Sequence, residues 1–312
     1  RVWSLINGNE IRALTGHRDW VTCLTFLQDS DTLISGSIDG TVKLWAESKA
    51  FEPPSLGHES PIRYLAISPQ GDVLPSGSED GKIVLWETST GNILGTLTSH
   101  QSLIRALAFS SDGKKLLSVD RDQLLKLWDV PHQREIQSLF SKSDGVNRLA
   151  FLPGDEGIIA SIGSAQICLW KIEGEQINPE PVKTFLGYER HCNSTAFAQG
   201  RIALGSTDGN IVHKKMVKFQ PELDELIHCF KVAVHEITMS SDGQRLLAVN
   251  QENEFKIWNL TDNKQLSTWK GRSARLTALA LNAAGNRALA SFDNGEIVLW
   301  DDTGKELRSW KF

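Results

Sequence analysis

No apolar run in this chain approaches the ~18 residues a membrane-crossing helix needs, so no membrane is expected among its partners. The opening Arg1-Val2-Trp3-Ser4 leads into no apolar stretch with a small-residue cleavage site, which excludes a secretion signal there. It also lacks Met, so the chain is expected to be part of a longer protein. Cysteine is scarce: Cys23, Cys168, Cys192 and Cys229, no two of them spaced Cys-x-x-Cys. A disulfide framework does not fit, and a reducing cytoplasm is the expected compartment. No amphipathic helical stretch of convincing length occurs. Basic charge is not in excess either. The net charge of -5 disfavours a broad nucleic-acid-binding surface.

What is present is repetition. Length alone would divide 312 residues into two domains, but repeats stack into one body, here residues 1–312. Hydrophobic residues at 40% and charged residues at 23% suffice for a sizeable core. Residues 16–45 set the pattern: Gly16-His17, an apolar run Val21 to Phe26, a second run Thr32 to Ser35, Asp39-Gly40, then Val42-Lys43-Leu44-Trp45. Gly57-His58 leads likewise to Asp80-Gly81 and Trp86, and Ser99-His100 to Asp122 and Trp128. His to Asp is 22 residues and His to Trp 28 in all three copies. Self-similarity at forty-odd residues indicates a solenoid, a propeller or an array.

First-strand counterparts begin at Val21, Ile62, Ile104, Val146, Cys192, Val234 and Leu276. Turns such as Ser110-Ser111-Asp112-Gly113 and Asp208-Gly209 separate short β-like runs. The third runs end at Trp45, Trp86, Trp128, Trp170, Lys214, Trp258 and Trp300, and an outer strand such as Asn92 to Leu97 follows. The reading is all-β: a seven-bladed β-propeller with four antiparallel strands per blade. The repeats run approximately 15–56, 57–97, 98–139, 140–186, 187–230, 231–269 and 270–312. The two-proline segment Glu173 to Lys183 is expected to protrude as a connection.

Gly-His, then Asp, then a Val-Lys-Leu-Trp ending resembles the WD-repeat (WD40) β-propeller family over essentially the whole chain. Trp128-Asp129 and Trp300-Asp301 are literal Trp-Asp pairs. The resemblance implies a buried relay running from Trp indole N–H to Ser, Ser to His, and His to Asp. Its members would be His17, Ser35, Asp39 and Trp45; His58, Ser76, Asp80 and Trp86; and His100, Ser118, Asp122 and Trp128. These could be mistaken for hydrolase triads. Catalysis needs one site rather than three, with an exposed nucleophile, so they are read as scaffold. The histidines and cysteines at 191–192 and 228–229, with His213 and His235, match no zinc spacing, so neither metal nor cofactor is expected.

The resemblance also implies that partners dock where each chain segment enters its first strand. Those positions hold Trp20, Arg63, Arg105, Arg148, Arg190, Arg272 and Arg275. Arg presents a planar fork suited to carboxylate or phosphate, and Trp and Arg are enriched at binding hot spots. The arginines are expected to gather as a positive patch at one end of the propeller. The implied function is a non-enzymatic interaction scaffold or sensor for a protein or peptide partner, with anionic groups the fitting chemistry. A multidomain setting such as a signalling NTPase is one such context, although no phosphate-binding Gly-x-x-x-x-Gly-Lys-Ser/Thr loop lies in these residues. The rivals are a nucleic-acid binder using Lys214, Lys215 and Lys218, disfavoured by net charge, and a propeller-bodied enzyme, for which no paired carboxylates with a partner base are found.

Two segments compete for the strand slot beside Val298-Leu299-Trp300. Residues 1–14 read as a partial blade that could close the ring through 10–14, while Glu306 to Trp310 also reads as an outer strand. Closure removes an open edge, and residues 10–14 are expected to fill the slot.

Overall fold

The computed structural model describes residues 2–3, 10–12, 14–26, 33–45, 50–51, 58–142, 145–146, 148–151, 157–163, 166–186, 192–198, 201–217, 220–221, 225–282 and 284–311. Among the described residues there is no helix, and all regular structure is strand.

Blade two shows how the sheets are built. Ile62–Leu65, Val73–Ser78, Ile83–Glu87 and Ile93–Leu97 pair in chain order, each antiparallel to the one before. Ser68 starts the first turn by accepting the Gly71 N–H on its carbonyl at 2.9 Å, and its hydroxyl donates to Asp72 at 2.6 Å. The short polar side chain thus holds the hairpin that the apolar runs flank. Seven sheets of this kind follow along the chain, the all-β, seven-bladed propeller architecture the repeat predicts.

The residues divide into two compact units, Arg1–Phe185 and Leu186–Phe312. The first holds blades one to four, preceded by the strands Val2–Trp3 and Glu10–Arg12, which pair with each other. The second holds blades five to seven. Blades four and five carry an extra short strand. Their third strands, Gln166–Glu173 and Asn210–Val217, overrun the fourth and pair at the tip with Gln176–Ile177 and Gln220–Pro221. The connection expected to protrude after Glu173 begins as a hairpin. Gln137 of blade three clamps it, donating to Ile177 O at 2.9 Å and accepting from Ile177 N at 2.6 Å.

The slot beside Trp300 is filled locally. Val298 pairs with Ser309, Leu299 with Arg308 and Trp300 with Glu306. Residues 10–12 pair with 2–3 instead, so the expectation that they take this slot is corrected. A hairpin through four residues has a far cheaper loop closure than a pairing across the chain's length.

Within each unit the core lies between consecutive blades. Trp86 packs with Ile34, Leu44 and Ile62, and Trp128 with Ile83, Leu85 and Ile104. Trp170 is fully buried against Leu117, Leu125 and Val146. The Asp-Gly turns permit this close approach. Gly81 adopts φ 81°, and a Cβ there would lie 2.7 Å from the carbonyl oxygen of His100 in the next blade. Gly81→Ala should therefore cost about 1–3 kcal/mol, from left-handed strain together with a backbone clash. Urea unfolding checks this, and an unchanged midpoint would mean the blades can shift apart freely.

Candidate functional site

The repeated polar cluster is a chain of hydrogen bonds. In blade one, Trp45 Nε1 donates to Ser35 Oγ at 2.8 Å, and Ser35 Oγ lies 2.7 Å from His17 Nε2. His17 Nδ1 stands 3.1 Å from Asp39 Oδ2. Blade three repeats the links: Trp128 to Ser118 at 2.7 Å, Ser118 to His100 at 2.6 Å, and His100 Nδ1 to Asp120 at 2.8 Å. One neutral imidazole tautomer satisfies every link, with the serine O–H donating to Nε2 and Nδ1–H donating to the carboxylate. Burial opposes protonation of the His58 and His100 rings. It pushes His100 below its ordinary value against the pull of Asp120, and His58 down to about 4 against the pull of Asp80. For Asp39 burial acts upward, but bonds from Thr41 and the Arg18 N–H hold its carboxyl well below the usual range.

The acid in blade three is Asp120, not Asp122. Asp120 ends the second strand, where blades one and two have Ser37 and Ser78. There its carboxylate reaches His100 and also accepts the N–H groups of Asp122 and Leu124, each at 3.0 Å. Asp122 is left exposed in the turn. Blade two departs differently. Trp86, Ser76 and His58 Nε2 are linked at 2.8 and 2.7 Å, but Asp80 accepts from Ser78 and the Lys82 N–H. His58 Nδ1 is buried without a hydrogen-bond partner. Blade four adds a pair the fixed spacing hid: Trp170 donates to Ser161 at 2.9 Å. Serine precedes tryptophan by nine residues here and by ten in the other three. Ser35, Ser76 and Ser118 are at most 2% exposed, and a sealed hydroxyl already bonded on both sides is not an available nucleophile.

A different feature reaches solvent. In blades one, two, three, five, six and seven the first strand shifts register by one residue just after it begins. The extra residues are Thr22, Arg63, Arg105, Asn193, His235 and Thr277. At Arg63 and Arg105 a bulge of this kind re-aims the side chain out of the ladder. Arg63 and Arg105 are thus bulge residues, a position that alternation alone does not reveal. Blade four has no shift, and Arg148 simply opens its strand.

Trp20 is 79% exposed immediately before the first strand of blade one. Arg148 and Arg275 are exposed and Arg105 is half-buried. Arg148 lies close enough to Tyr64 of blade two to oppose the upward push of burial on that phenol. Carboxylates offset the charges of Arg63 and Arg272. Arg63 donates to Glu79 from Nε at 2.7 Å and Nη2 at 2.5 Å, and Arg272 sits 3.0 Å from Glu306. Arg190 lies outside the described residues.

The histidines considered for a metal have separate partners. His213 bonds Asn263 at 2.6 Å, His228 bonds Asn210 at 2.9 Å, and His235 lies 3.4 Å from the Leu276 carbonyl. Burial pushes the Cys229 thiol up to about 12. His191 and the side chain of Cys192 lie outside the described residues, as do the side chains of Lys214, Lys215 and Lys218.

Residues 8–46, 52–87 and 91–129 match the family model for the WD domain, G-beta repeat. Over 55 residues, 17% of its length, the chain is 40% identical to Periodic tryptophan protein 2 of Saccharomyces cerevisiae, covering 6% of that protein. Over 112 residues, 35% of its length, it is 23% identical to Target of rapamycin complex 1 subunit mip1 of Schizosaccharomyces pombe, covering 8% of it. Over 56 residues it is 34% identical to Target of rapamycin complex subunit LST8 of Saccharomyces cerevisiae, covering 18% of each chain. The chain thus spans only 6% to 18% of these relatives' own length. Among solved structures, the computationally designed Ika8 protein superposes with a TM-score of 0.77 at 24% identity, over 95% of this chain and 88% of that one. The β-propeller domain of Cps50 (Swd1) from Myceliophteria thermophila gives 0.61 at 19% identity, over 79% and 85%. At these identities the structural likeness concerns the fold alone.

Proposed function

We propose that this chain, a WD-repeat β-propeller, is a non-enzymatic scaffold that docks a protein or peptide on the loops leading into its first strands. The observation that carries the reading is Trp20, 79% exposed just before the first strand of blade one, while Arg105 and Arg148 lie at the start of the first strands of blades three and four in the same unit. A large exposed indole together with arginines near the first-strand entries is the composition of a binding hot spot. Arg105 and Arg148 favour a partner carrying carboxylates or phosphates, because the guanidinium fork matches both. The relatives mip1 and LST8 are by name subunits of complexes, which supports an assembly role here. The sealed serines weigh against hydrolysis. A place within a larger signalling protein, in the cytoplasm, belongs to this proposal.

Reversing Arg105 and Arg148 to Glu should abolish capture of the partner by the purified chain. The melting temperature is the folding control, with little change expected from exposed Arg148, because exposed charges contribute little to stability. Capture unchanged by the double variant, at equal stability, would remove the arginines from the binding surface.

A further inference from the structure

Blade six has lost the relay, and a cavity opens beside the position its histidine would hold. Phe230 stands where blades one to three carry His, and Ala248 where they carry Ser. The cavity measures about 690 Å³ and is floored by Cys229, Phe230 and Asn250. Each of these is at most 9% exposed, so the floor is built rather than a surface dimple.

Lys256 lines this cavity, and its counterpart in blade three shows what it lacks. Lys126 is buried with its ammonium on Glu135 at 2.8 Å and Ser99 at 2.6 Å. Glu135 sits opposite Trp128, and the residue opposite Trp258 is Gln265. The fourth strand therefore offers Lys256 no counterpart of Glu135. Its Nζ donates to the Cys229 carbonyl at 2.6 Å and lies 4.9 Å over the Phe230 ring. Glu254 is 3.5 Å away, but that carboxylate also accepts from Asn250 at 3.2 Å. Glu254 at 3.5 Å therefore balances this ammonium more loosely than Glu135 at 2.8 Å balances Lys126. Lys231 adds a second, exposed cation at the rim. Glu252 on the opposite side lies 3.8 Å from Lys270.

We propose that this cavity receives a carboxylate side chain from an acidic segment of a protein partner, with Lys256 at its floor and Lys231 at its rim. Phe230 and Val232 would pack the methylenes of that side chain. Glu252 and Glu254, which also line the cavity, favour a monoanion over a phosphate dianion, because like-charge repulsion grows with ligand charge. The inference rests on reading the chain as an interaction scaffold and places a specific anchor within it.

The test is an amide-resolved NMR titration of the full chain with three probes: the blocked tripeptide Ala-Glu-Ala, blocked Ala-Gln-Ala and inorganic phosphate. Ala-Glu-Ala should move the amides of residues 229–232 and 250–256, and Ala-Gln-Ala should bind about tenfold more weakly, as expected for losing a charged hydrogen bond. Lys256→Gln should weaken Ala-Glu-Ala about tenfold. Lys231→Gln should weaken it about threefold, and its exposed position makes it informative even if Lys256→Gln perturbs folding. Equal binding of the two peptides, no movement of these amides, or tighter binding of phosphate there would overturn the proposal. Movement only at amides beside Arg105 and Arg148 would also overturn it while leaving the scaffold reading standing. Pocket binding that survives Arg105→Glu with Arg148→Glu would support the pocket even if those arginines prove idle.

Discussion

Trp128→Ala is expected to be severely destabilising, by about 3–5 kcal/mol. Trp128 is 2% exposed and packs between blades two and three against Ile83, Leu85 and Ile104. Its removal loses the transfer energy of the indole and leaves a cavity that β-strands, locked in register on both sides, cannot collapse to fill. It also strips Ser118 of the donor at 2.7 Å. Trp128→Phe separates the two contributions. It keeps most of the packing and removes the N–H, and should cost about 1 kcal/mol. Trp258 provides the internal comparison, since Ala248 stands at its serine position and it is only partly buried. Trp258→Ala should therefore cost distinctly less than Trp128→Ala. Urea unfolding of the variants measures all three, and equal losses at positions 128 and 258 would show that neither burial nor the serine bond matters as argued.

Stability should fall as pH drops from about 6.5 to about 4, by about 3 kcal/mol from His58 alone. The sign follows from linkage. Burial lowers the folded pKa of His58 to about 4, below the ordinary 6.5 that holds when the chain is unfolded. The unfolded state thus binds the extra proton across that window, and stability present above pH 6.5 is lost on the way down. His100, shifted in the same direction by burial, adds to the loss. Below about pH 4 the carboxylates take over: Asp39 and Asp80 are held below their ordinary values by hydrogen bonds that outweigh burial. Their contribution disappears as they are protonated. His58→Ala should start from lower stability and lose less between pH 6.5 and 4.5. A wild-type stability flat over that interval would mean the ring is not buried in its neutral form.

The sequence by itself determined the blades and most of the relay. Strand and turn lengths fix local offsets, so His17, Ser35 and Trp45 return at equal spacing as His58, Ser76 and Trp86, and as His100, Ser118 and Trp128. Alternating apolar runs and Asp-Gly turns likewise predicted the antiparallel order within a sheet. Where a turn changed by one residue the spacing failed, and Ser161 escaped notice although it binds Trp170 as the others do. Only the tertiary structure decided which acid meets His100. Asp120 and Asp122 are both in the sequence, and the choice depends on which one the end of the strand points at the ring. It also decided that Glu306–Lys311 pairs beside Trp300, that Arg63 pairs with Glu79, and that Lys256 lines a cavity with no counterpart of Glu135 on the fourth strand. Those outcomes depend on side chains that meet across strands and blades. Their distances are set by register, bulges and packing between blades, none of which is written in spacing along the chain.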